Sequence, residues 1–238
     1  MTEGLFSSGL SAGEAQALWL SLKTGLVGTA FSLPIGIAIA WILARTNFRG
    51  KLLLDGLVHM PLVLPPVVTG YVLLILFGNN GVLGHWLNEH LGFSFAFNWK
   101  GAALASAIMG FPLMVRAIRL SFEAVDPRLE AAARTLGARA GVAFATVTLP
   151  LILPGIIAGS LLGFARAIGE FGATITFVAN IPGQTQTLPI ALYSALQSPS
   201  GDINALRFVL LSLALAAVAL IASEVLARAA QARIRGRT

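Results

Sequence analysis

Apolar residues along this chain fall into long unbroken runs rather than the short alternations of a soluble fold. Thr24 to Ala44 is an uncharged run of 21 residues, which at about 1.5 Å rise per residue spans the roughly 30 Å hydrocarbon core of a bilayer. Gly56 to Phe77 is a second run, interrupted by Pro61, Pro65 and Pro66, which predict a kink or break near its middle. Residues 79–100 carry Asn79, Asn80, Gly81, His85, Glu89, His90 and Lys100 and read as a wet connection. Gly101 to Val115 is short alone, but Arg116 and Arg119 can snorkel and extend a third crossing to about Leu120. Ala140 to Ala165 is uncharged and forms a fourth crossing, and a fifth runs from about Ala205 to Ala227, beginning beside Arg207 and carrying Glu224. The pattern predicts an all-α polytopic membrane protein of about five transmembrane helices, with residues 1–19 before the membrane domain, 20–227 forming it and 228–238 as a basic tail.

Between the third and fourth crossings lies a segment of different character. Asp126 is placed to cap a helix and Pro127 suits the first helical position. Leu129, Ala132, Ala133 and Leu136 then form one apolar stripe, while Arg128, Glu130, Arg134 and Arg139 take the remaining surface, and Gly137 supplies the stop. Such a helix is too short to stand alone in water and too charged for lipid. It is expected to dock on something.

Composition agrees with the runs: 56% of residues are hydrophobic and 11% charged, against about 25% charged in soluble domains. Charge placement then sets orientation. Twelve of the sixteen Lys and Arg fall on one side, at Arg45, Arg49 and Lys51, at five positions from Arg116 to Arg139, and at Arg228, Arg233, Arg235 and Arg237. That side is expected to be cytoplasmic, with the N-terminus outside and the C-terminus inside. No Lys or Arg precedes Lys23, so the first run reads as a retained helix rather than a cleaved signal. The basic tail reads as a topology determinant near anionic lipid, with no nucleic-acid partner.

Several chemistries lack their residues. There are no cysteines, hence no disulfide, thiolate metal site or cysteine nucleophile. His59, His85 and His90 have the spacing of three unrelated histidines rather than a metal site. The serines, Ser7 and Ser8 among them, have no nearby His and Asp to form a hydrolase triad. The three lysines lie outside any phosphate-binding loop; Gly50-Lys51 is followed by Leu52 and has Arg45 where the first glycine belongs. No catalytic residues, cofactor or metal are assigned, and any energy from ATP must come through a partner.

Ala132-Ala133, Gly137 and Val147-Thr148-Leu149-Pro150 resemble the "EAA" cytoplasmic loop of ABC importer permeases of type I. One departure is that Glu130 precedes the family's Glu position, here Ala131. Residues 169–174 and 182–189, Gly-Glu-Phe-Gly-Ala-Thr and Pro-Gly-Gln-Thr-Gln-Thr-Leu-Pro, resemble the molybdate branch. The resemblance runs from about residue 20 to 225. It implies the type I permease fold and a coupling helix, built by Asp126, Arg128, Glu130, Ala132, Ala133, Arg134 and Gly137, that inserts into an ATPase groove. It also implies two ATP-binding subunits, a periplasmic or lipid-anchored oxyanion-binding protein and a second copy of the permease, in a bacterial or archaeal cytoplasmic membrane.

The expected function is molybdate import by alternating access. Sulfate or tungstate is the alternative cargo, and an ATPase-independent secondary transporter or channel the alternative class. Pro65, Thr69, Arg166, Glu170 and Thr174 are the expected translocation-path residues. Arg166 and Glu170, four apart on a helix, read either as an anion-attracting entrance or as a structural ion pair. Residues 183–189 read either as a dock for the binding protein or as a plain turn.

Overall fold

A computed structural model describes residues 9–198 and 202–235. Ser7, Ser8 and Arg237 lie outside the described residues, as do the side chains of Glu224, Arg228, Arg233 and Arg235. Helix α1 spans Ala12–Arg45, α2 Lys51–Val63, α3 Pro66–Phe77, α4 Val82–Leu91, α5 Trp99–Ala124 and α6 Pro127–Thr135. A short α7 (Ala140–Ala143), a π-helical turn (Phe144–Thr148) and α8 (Leu149–Ile168) run on as one rod; α9 is Gly172–Val178, α10 Leu188–Leu196 and α11 Asp202–Arg235. Four of these rods are long and apolar enough to cross a membrane, and the bent pair α2–α3 makes a fifth crossing if counted as one.

Each boundary has a local cause. Ser11 caps α1 in a reciprocal box with Glu14, so residues 12–19 are continuous with the first crossing. Leu64 is extended, as the residue before a proline prefers, and Pro66 opens α3; the two helices meet at 115°. The proline-rich run is therefore broken outright. The expected wet connection at 79–100 contains a two-and-a-half-turn helix, α4, closed by Gly92 in the left-handed region at φ +60. Its polar residues hid it from a reading based on apolar runs. Asn98 caps α5, its Oδ1 accepting from the amides of Lys100 and Gly101, and the third crossing accordingly starts two residues earlier than expected and runs four further.

Helix α5 is the axis of the bundle: 61% of its most apolar stretch is buried, against 6% for α11. It runs parallel to α1 and antiparallel to α8. Lipid tails are as apolar as leucine, so close packing rather than expulsion from water must hold such helices together. Gly155, Gly159 and Gly163 provide it. A Cβ on Gly159 would meet the Met114 carbonyl at 2.9 Å, one on Gly163 the Met114 side chain at 2.9 Å, and one on Gly155 would overlap the Ser121 hydroxyl. Leu43, Met114, Val115, Ile118, Phe122 and Ile152 fill the centre of the α1–α5–α8 contact. A second cluster, with Leu73, Met109 and Phe177, joins α3 and α9 to α5. At the end opposite α6, Arg207 of α11 clasps the buried Glu14 of α1 with two bonds, Nε to Oε1 at 2.8 Å and Nη2 to Oε2 at 3.0 Å.

Candidate functional site

Helix α6 is built as its sequence dictates. The Asp126 carboxylate accepts from the Arg128 amide at 2.9 Å. At the other end Gly137, at φ +93, donates to the Arg134 carbonyl while Ala138 donates to that of Ala133, the paired bonds of a Schellman stop. The apolar stripe is uncovered: Leu136 is 90% exposed and Leu129 48%, Ala132 is exposed and Ala133 half-buried. Arg134 and Arg139 flank a shallow polar depression with Thr135 and Ala138, and Arg128 is exposed. Covering one such leucine would contribute about 1.5–3 kcal/mol, so the helix offers a binding face with a basic rim.

Its back is tethered. Glu130 turns toward the bundle and its Oε2 accepts from the hydroxyl of the buried Thr148 at 2.9 Å. Thr148 closes the π-helical turn that leads into α8. The one-residue offset of this glutamate thus points its carboxylate at the next crossing. The entry to α6 is held too: Arg45 at the end of α1 donates to the Val125 carbonyl at 2.9 Å. One turn and a half earlier on α5, Arg119 bridges Glu123 at 2.7 Å and Asp55 of α2 at 3.0 Å. Asp55 also accepts from His59. One polar bond thus ties α6 itself to the π-helical turn before α8, while Arg45 holds the end of α5 just ahead of it and Arg119 ties α5 to α2. Thr148, Arg45, Asp55 and Arg119 were not singled out for this role from sequence. The available signal was Asp55, an acidic residue at the edge of an apolar run, where a lone charge demands a partner.

Two chain breaks face each other elsewhere in the bundle. Pro65 and Pro66 open α3, and Gly169 to Phe171 separate α8 from α9. The broken elements pack in intimate contact, since a Cβ on Gly70 would lie 2.5 Å from the Ala173 carbonyl and one on Gly172 2.8 Å from Pro66. Of the expected path residues, Pro65 and Thr69 lie at the start of α3 and Thr174 on α9, the two packed helices, while Glu170 lies in the break and Arg166 on the last turn of α8. Glu170 is buried, with one oxygen on Arg166 Nη1 at 2.6 Å and the other accepting from the Ala173 amide at 2.8 Å. The pair spans the break, and its arginine stays partly exposed. Thr69 and Thr174 are buried hydroxyls without a hydrogen-bond partner among the described residues.

In the 183–189 stretch Gly183 takes φ +79 and Gln184 is exposed, while Thr185 is fully buried and bonds Ala179 and Ile181. The three histidines are engaged separately: His59 with Asp55, His85 with Glu89, and His90 stacked on Trp86.

Long apolar rods, a bent pair and an uncovered amphipathic helix define a polytopic membrane protein that carries one charged helix outside its apolar crossings. The family described as binding-protein-dependent transport system inner membrane component matches residues 32–236, and the chain belongs to it. It is 56% identical over 220 residues to the molybdenum transport system permease protein ModB of Escherichia coli K12, covering 92% of this chain and 96% of that one. The sulfate transport system permease protein CysT of the same organism is 37% identical over 178 residues, covering 75% and 64%. A solved inward-facing MetNI methionine ABC transporter chain superposes with a TM-score of 0.71 at 15% identity, covering 91% of this chain and 95% of that one. The fold is that of a type I ABC importer permease, and the chain is a transport component rather than an enzyme.

Proposed function

We propose that this chain forms the membrane pathway of an ATP-driven molybdate importer, working as a symmetric pair with two ATP-binding subunits and a binding protein outside. One observation carries the mechanism: the apolar stripe of α6 is bare while its back is bonded to the bundle. A partner that seats Leu129 and Leu136 in a groove gains a rigid handle, not a loose loop. Twelve of the sixteen cations, α6 among their carriers, favour the cytoplasm for that handle. Movement of α6 passes through Glu130 and Thr148 to α8, and through Val125 to Arg45 of α1. Arg119 carries it to Asp55 on α2, whose far end is the bend beside α9. ATP binding thus changes which side the α3–α9 contact faces, and alternating access follows.

Molybdate is favoured over sulfate by 56% against 37% identity to the respective permeases. Neutral hydroxyls at Thr69 and Thr174 suit an oxyanion that must also be released. The test is uptake by proteoliposomes holding the permease, its ATPase and binding protein. ATP-dependent molybdate accumulation, outcompeting sulfate, supports the reading. Sulfate-only transport changes the cargo; uptake by the permease alone under an ion gradient replaces the class. Tungstate, a tetrahedral dianion like molybdate, serves as the third arm.

A further inference from the structure

An apolar groove of about 350 Å³ opens between α1 and α5, walled by Val27, Phe31, Phe93, Phe95, Trp99 and Leu104. It continues into a second apolar groove that shares Phe31, Leu104 and Ala107 and reaches Ile39, Val58 and Phe111. Lys100 stands at its mouth with Nζ 4.2 Å from the Phe93 ring centre, and Lys23, a turn above Val27, has Nζ 3.6 Å from that of Trp99. Among the cations whose side chains the structure describes, Lys23, Lys100, Arg166 and Arg207 lie away from α6. Arg166 and Arg207 are paired with Glu170 and Glu14. Among the described residues, Lys23 and Lys100 have no carboxylate within ion-pair distance; Lys100 lines the groove and Lys23 lies over the ring of Trp99, one of its walls.

We propose that this groove is a binding site for an anionic phospholipid, its phosphate between Lys23 and Lys100 and one acyl chain along α5. Three features fit. Aromatic faces beneath two ammonium groups hold the cations at headgroup level, where a phosphodiester completes their charge. Eleven residues separate Lys100 from Phe111, about 16 Å along a helix, which is about half of the 30 Å hydrocarbon core and hence one leaflet. From Trp99 to Ala107 along α5 the groove is lined by apolar and aromatic side chains with Lys100 the one charged residue, a lining that suits an acyl chain beneath a phosphate.

The full-length protein, held in bilayer nanodiscs of equal phosphatidylglycerol and phosphatidylethanolamine, is released into native mass spectrometry. The expected result is preferential retention of phosphatidylglycerol, cut roughly thirtyfold in Lys23→Gln/Lys100→Gln, the order expected for two interfacial charges, and restored in Lys23→Arg/Lys100→Arg. Phosphatidylglycerol with a photoactivatable acyl chain is expected to label the peptides around Val27–Ile35 and Trp99–Phe111. Equal retention of both lipids, unchanged retention in the glutamine variant, or labelling elsewhere overturns the proposal. So does displacement by millimolar inorganic phosphate, which makes it a free-anion site, or crosslinking of Val27→Cys to a second copy, which makes it a subunit interface.

Discussion

Two polar contacts set the terms at the scale of single residues. Glu130 and Thr148 form a bond between an ionised acceptor and a buried hydroxyl, a kind worth about 1.5–3 kcal/mol when desolvated and less where, as here, the carboxylate is partly exposed. Thr148→Val leaves the carboxylate without its partner. The expected outcome is a permease at normal membrane level whose ATPase partner still hydrolyses ATP but drives several-fold less uptake, with Thr148→Ser near normal. Equal uptake in both variants would remove Glu130 from the coupling route. Glu14 and Arg207 make a different case, because the carboxylate is buried and the half-buried arginine bonds both of its oxygens. Arg207→Ala strands a carboxylate and is expected to cost about 3–5 kcal/mol, whereas Glu14→Gln/Arg207→Met, which removes both charges, recovers most of it. Thermal unfolding of the detergent-solubilised chain measures the difference, and an unchanged midpoint in Arg207→Ala would contradict the assignment.

Elements made by local chemistry were readable in advance. Helix α6 follows from Asp126, Pro127, the apolar stripe and Gly137, all within twelve residues, and the α2–α3 break follows from adjacent prolines. Helix α4 was not readable, because Asn88, Glu89 and His90 look like a loop to any test of apolarity. The first two turns of α1 were hidden similarly by Glu14 and Gln16. The polar links among the helices that lead to α6 were illegible for another reason: Arg119 to Asp55 spans 64 positions and Arg45 to Val125 80, and no periodicity encodes such pairs. The π-helical turn also escaped, since one extra residue per turn leaves an apolar run looking the same. At this scale Gly137→Pro is the sharpest probe. Its φ of +93 and its amide bond to Arg134 are both denied to proline, so the stop of α6 is lost. Uptake should fall to background while membrane insertion and the five crossings persist; normal uptake would mean that the shape of α6 is irrelevant. Asp55→Arg/Arg119→Asp offers a complementary check on α2, with each single change expected to impair uptake more than the exchanged pair.

Across the whole molecule, charge, packing and breakage divide the labour. The helices that meet lipid carry few polar groups, the α1–α5–α8 contact is drawn tight by glycines, and the broken helices bring polar groups together inside the bundle. Ion pairs brace the end away from α6, and polar bonds converge on α6 at the other. On the proposed mechanism, force from a docked ATP-binding subunit reaches the bend at Leu64 and Pro65 through discrete bonds between rigid rods. The membrane class and the amphipathic helix α6 were legible in the order of residues; the place where α3 meets α9 was not, because it depends on two breaks, at Pro65 and at Gly169 to Phe171, that are far apart in the chain.

The most direct test places a photocrosslinking amino acid at Leu136 in the assembled importer, in inside-out membrane vesicles. The account predicts an adduct with the ATP-binding subunit whose yield changes when ATP is added. An adduct only with a protein on the outer face, or none while ATP still drives uptake, would contradict it.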